Sequence, residues 1–215
     1  MSPLKTAEVA ALIGGQLSGL TGTQIGSFSA SQLQVFSGNQ IAALSASQLS
    51  GLSATQLGSL GSAQLQAITP AQVALLGSAQ IAGLDATQLA VLSAPQLQAL
   101  SPQQVSALSP AQLSELTPAQ ISVLTGNPLA SLSASQLGAL TPSQVSGVST
   151  SQIARMAAAE INGLSAGQLQ ALTPIQISAI PPSNIGALST NQLATMSSPQ
   201  LQTLSAVQLA SLSPV

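Results

Sequence analysis

Large apolar residues recur along this chain at alternating intervals of three and five. With Leu12 as the eighth position of a first octad, the register runs from Lys5 to Leu212 as 26 octads without insertion or deletion. Position 5 runs Val9, Leu17, Ile25, Leu33 and on to Leu209. Position 8 runs Leu12, Leu20, Phe28, Phe36 and on to Leu212, and all 52 of these positions are apolar. Position 4 is Gln in 22 octads, the exceptions being Glu8, Pro128, Glu160 and Asn184, and position 1 is Ser, Thr or Asp in 20. Ser93 to Leu124 states the unit four times: SAPQLQAL, SPQQVSAL, SPAQLSEL, TPAQISVL.

Each octad predicts one short helix. The Ser/Thr at position 1 is the N-cap, and the Gln at position 4 is N3, which completes a capping box. The position-8 residue of the preceding octad and the position-5 residue then form the hydrophobic staple. Proline placement supports the same register. Eight of the 13 prolines stand at position 2, the first helical residue (Pro70, Pro102, Pro110, Pro118, Pro142, Pro174, Pro182 and Pro214). There the missing amide has no helical partner to lose. No proline falls at positions 5 to 8, where it would break the turn, and glycine avoids positions 4, 5 and 8.

One long helix is excluded, because an eight-residue repeat drifts by about 80° per octad and no stripe would persist. A β-solenoid is the alternative, but its strands favour Val, Ile, Thr and aromatics, whereas positions 2 to 7 are mostly Ala, Ser, Gln and Pro. A lone helix of about six residues is unstable in water, so neighbouring coils must stack over a shared Leu/Ile core. The expectation is an all-α solenoid of very short capped helices forming a single tandem-repeat domain over residues 1–215. Gln also recurs at position 6 every 32 residues, at 34, 66 and 98. Either four octads close one superhelical turn, or 32 residues is a duplicated unit. At the first coil Lys5 and Ile13 are poor caps, and the two Phe residues are expected to close its core.

Composition narrows the function. Charged residues make up 3%, against about 25% in ordinary domains. Lys5 and Arg155 are the two cations, and the net charge is −2. Two cations cannot neutralise a phosphate backbone, so nucleic acid is not an expected partner. Mean hydropathy is +0.47, but no apolar run reaches the roughly 18 residues of a membrane-spanning helix, so no membrane insertion is expected. With no His or Cys, no metal, cofactor or catalytic residue is expected, and the chain reads as a non-enzyme. Asp85 is placed as an N-cap, Glu8 and Glu160 in the box slot, and Glu115 and Arg155 on the solvent side. The serines have no base to activate them. The Gln column is the polar feature with a possible role in recognition.

The segments Leu116–Leu124 (LTPAQISVL) and Leu140–Val148 (LTPSQVSGV) resemble the opening helix of transcription-activator-like effector repeats. The base-reading loop, second helix and basic stripe are missing, so the resemblance implies only shared capping. The whole octad region is similar to tandem LTxxQ[ILV]xxL segments of very large bacterial secreted or surface proteins. That resemblance implies an extracellular or cell-surface structural role. The expected function is a self-associating spacer or filament or surface-layer subunit. The alternative is a scaffold for a protein or glycan ligand. The chain runs two residues past Ser213 into a fresh octad opening, the end expected of a fragment or of a chain that continues into another copy.

Overall fold

The structure, a computed structural model, describes residues 5–124 and 132–212. Pro128, which replaces the box glutamine, lies outside the described residues, as do Pro3 and Pro214. The described chain folds into 25 α-helices of four to six residues, from Thr6–Ala10 to Ala206–Ser211. No strand occurs among the described residues, which sets the β-solenoid alternative aside.

The octad's local chemistry explains each helix. Ser45 is extended at φ −69°, ψ 161°, and its hydroxyl accepts from the Gln48 amide. The Leu49 N–H donates to the Ser45 carbonyl at 3.0 Å, and the Leu52 N–H donates to the Leu49 carbonyl at 3.1 Å. The octad thus opens with an α-type bond and closes with a tighter three-residue bond. The next extended N-cap redirects the chain. Proline occupies the first helical position in Pro70–Leu75, Pro102–Ser106 and Pro142–Ser146, as the register requires.

The chain divides into two compact units, Met1–Leu108 and Ser109–Val215. Each is an all-helical solenoid. In the first unit, Gly22–Gly26 packs on Ala46–Ser50, and Gly38–Ala43 packs on Ser62–Ala67. In the second, Pro142–Ser146 packs on Ala166–Ala171, and Pro182–Ile185 packs on Ala206–Ser211. All these pairs lie three octads apart. Position-5 and position-8 side chains fill the core between coils. Phe28 and Phe36 meet edge to face at 5.8 Å in the first coils, where the sequence placed a bulky closure. Small residues let the stacked backbones approach. A Cβ on Gly51 would stand 2.2 Å from the Gly22 carbonyl oxygen, a distance no side chain tolerates.

Candidate functional site: the glutamine column

The position-4 glutamines do two jobs with one amide group. The Gln96 Oε1 accepts from the Ser93 N–H at 2.8 Å, which is the expected capping box. Its Nε2 donates to the carbonyls of Leu65 at 2.7 Å and Ile68 at 2.6 Å, residues 31 and 28 positions earlier. Those carbonyls belong to positions 5 and 8 of an octad in the adjacent coil, at the C-terminal end of its helix. The Leu65 carbonyl takes this amide in addition to the Ile68 N–H at 3.2 Å, while the Ile68 carbonyl, at the helix C-cap, is one of the terminal carbonyls a helix leaves without a partner of its own. One amide therefore caps the start of its own helix and the end of another.

The same arrangement recurs in both units. Gln48 Nε2 donates to Leu17 and Leu20 at 2.6 and 2.7 Å. Gln168 donates to Leu137 and Leu140 at 2.8 and 2.7 Å. The spacing of 28 residues, three and a half octads, places each box glutamine against an octad four earlier, while its helix packs on one three earlier. A coil therefore closes short of four octads, and the 32-residue recurrence is not the coil repeat. The position-6 glutamines at that recurrence bond in the opposite sense: Gln34 Nε2 donates to Ser59 at 3.2 Å, and Gln66 donates to Val91 at 3.3 Å.

The departures follow the same logic. Pro181 has no N–H, so its octad has no donor for a box. Asn184 stands there instead, and its shorter amide still donates across the coil to Met156 at 2.7 Å. Gly61 and Gly77 lack hydroxyls but keep half the box, their N–H groups donating to Gln64 and Gln80 at 2.9 and 2.8 Å. The carboxylates of Glu8 and Glu160 accept from Lys5 and Ala157 at 2.7 and 2.6 Å. Partial burial raises the Glu160 pKa above the usual carboxylate value, against the opposing pull of the Ala157 N–H. Asp85 caps as expected, its Oδ1 accepting from Gln88 at 2.7 Å. Glu115 and Arg155 are exposed.

No known family model matches this chain. No curated protein sequence is significantly similar to it.

Chemically, the column is a set of staples. Gln96, Gln104, Gln144 and Gln168 are at most 2% exposed, and no buried side-chain polar atom among the described residues lacks a hydrogen-bond partner. Such amides are committed to the backbone and do not form an exposed ladder for a ligand. Among the described residues no group of three His, Cys, Asp or Glu is placed to hold a metal, and no helix is long and apolar enough to cross a membrane. The capping half of each glutamine follows from the octad alone. The inter-coil half had a signal too: a capping box accepts Glu as readily as Gln, yet Gln outnumbers Glu 22 to two. That bias marks a need for the N–H donors.

Proposed function

We propose that this chain is a non-catalytic structural repeat protein, a self-associating spacer or filament or surface-layer subunit at or outside a bacterial cell surface. The observation that carries this reading is where the polar groups are used. The recurrent Ser/Thr and Gln side chains are spent on backbone capping within and between coils, and only six residues of 215 are charged. A nearly uncharged surface favours association. The cell-surface placement rests on the similarity to LTxxQ[ILV]xxL segments. Size-exclusion chromatography with light scattering and negative-stain imaging test the proposal. Assemblies at tens of micromolar are expected, and a persistent monomer would overturn self-association.

A further inference from the structure

The coils have a polarity that becomes visible at the first and last of them. In the first three octads the position-5 side chains Val9, Leu17 and Ile25 are 0% exposed, although the described chain has no coil before them. The position-8 residues Leu12 and Leu20 there are only partly buried. In the last octads the order reverses. Leu188, Met196 and Leu204 at position 8 stay buried, while Leu193 is partly exposed and Leu201 and Leu209 are 43% and 50% exposed. Position 8 therefore faces the preceding coil, and position 5 faces the following one.

The hydrogen-bonding groups show the same polarity. Gln16 and Gln24 hold their boxes with Ile13 and Thr21 at 3.0 and 2.8 Å, but among the described residues their Nε2 groups reach no inter-coil carbonyl, and both side chains are exposed. At the other end the carbonyls of Leu193, Met196, Leu201 and Leu204 receive no glutamine amide among the described residues. One face offers donors and position-8 leucines; the other offers acceptors and position-5 leucines.

We propose that the first coil of one copy seats on the last coil of a second copy and continues the inter-coil bonding in register. Gln16 then donates to Leu193 and Met196, and Gln24 donates to Leu201 and Leu204. Leu12 and Leu20 cover Leu201 and Leu209. Inside each unit the same groups already meet this way at 28 and 31 residues' separation. Glu8 keeps its own cap but brings no N–H, so the donors on this face are the glutamines. The contact joins unlike faces, so it propagates rather than closing a symmetric pair. This inference rests on the self-association reading and specifies its interface.

The test uses two full-length variants. Gln16→Glu/Gln24→Glu keeps the capping oxygens, as Glu8 and Glu160 do, but turns carboxylates toward the partner's carbonyls. Leu201→Gln/Leu209→Gln makes the opposite face polar. Sedimentation velocity on each alone should show association weakened at least tenfold. An equimolar mixture should form one-to-one dimers and nothing longer, because each variant keeps one intact face. Variants that assemble like the wild type, or a mixture that forms no dimer, would overturn the end-to-end contact while leaving self-association standing. A monomeric wild type would remove both.

Discussion

Replacing Gln96 with Glu keeps the oxygen that caps Ser93 and removes the N–H groups that reach Leu65 and Ile68. The loss leaves two buried carbonyls without that donor and places a carboxylate beside them. We expect a cost of about 3 kcal/mol in urea unfolding at neutral pH, shrinking in acid as the carboxylate protonates. The same substitution at exposed Gln16 should cost the monomer under about 0.5 kcal/mol. Glu160 gives the converse case. Its folded pKa lies above that of the unfolded chain, so its contribution to stability is fullest below the unfolded pKa and is lost as pH rises through the folded one. Glu160→Gln should therefore raise the melting temperature at neutral pH, with the gain shrinking in acid; thermal denaturation at the two pH values checks this. At this scale the sequence was readable wherever partners sit three residues apart, as Ser93 and Gln96 do. The partners 28 and 31 residues away were not, because they depend on how far each joint turns the chain, and no single octad encodes that angle visibly.

Helices of four to six residues stand only because both ends are capped and one face is buried. Position within the octad should then decide what a proline does. Ser78 is the first residue of Ser78–Ala82, and Gly77 before it is already extended at φ −67°, ψ 149°. Ser78→Pro should be neutral or stabilising by about 0.5 kcal/mol, whereas Ala82→Pro inside the same helix should cost about 3 kcal/mol. Paired chemical denaturation curves distinguish the two. Close approach gives a separate test. Gly51→Ala places a methyl against the Gly22 backbone and should cost about 1–3 kcal/mol through forced separation of the stacked helices. The proline pattern made helix starts legible from the sequence. The Gly22–Gly51 approach was not legible, because nothing local to either glycine shows that a helix three octads away presses on it.

Each octad bonds to equivalents about one coil away, so the unit that can be removed is the octad. Deleting residues 85–92 should leave a folded helical protein by far-UV circular dichroism. Deleting residues 89–92 alone should lower helix content and stability, because the position-5 and position-8 side chains of the next coil would lose their facing partners across the deletion. The helical solenoid was legible from capping and core periodicity together. The coil length was not: the 32-residue recurrence of Gln34 and Gln66 left open four octads per turn or a duplicated unit, while the glutamine reach of 28 residues closes the coil near three and a half octads. The 28-residue reach of the glutamine amide also governs how the molecule yields under tension. Pulled from its termini, such a chain has no distant strand pairing among the described residues to rupture at once, since each coil is held only by the core side chains and amides of the coils beside it. It should pay out in small, even lengths, each freed coil of 28 residues releasing about 95 Å of chain. In a single-molecule pulling experiment the trace should be a shallow staircase, the response of an extensible tether.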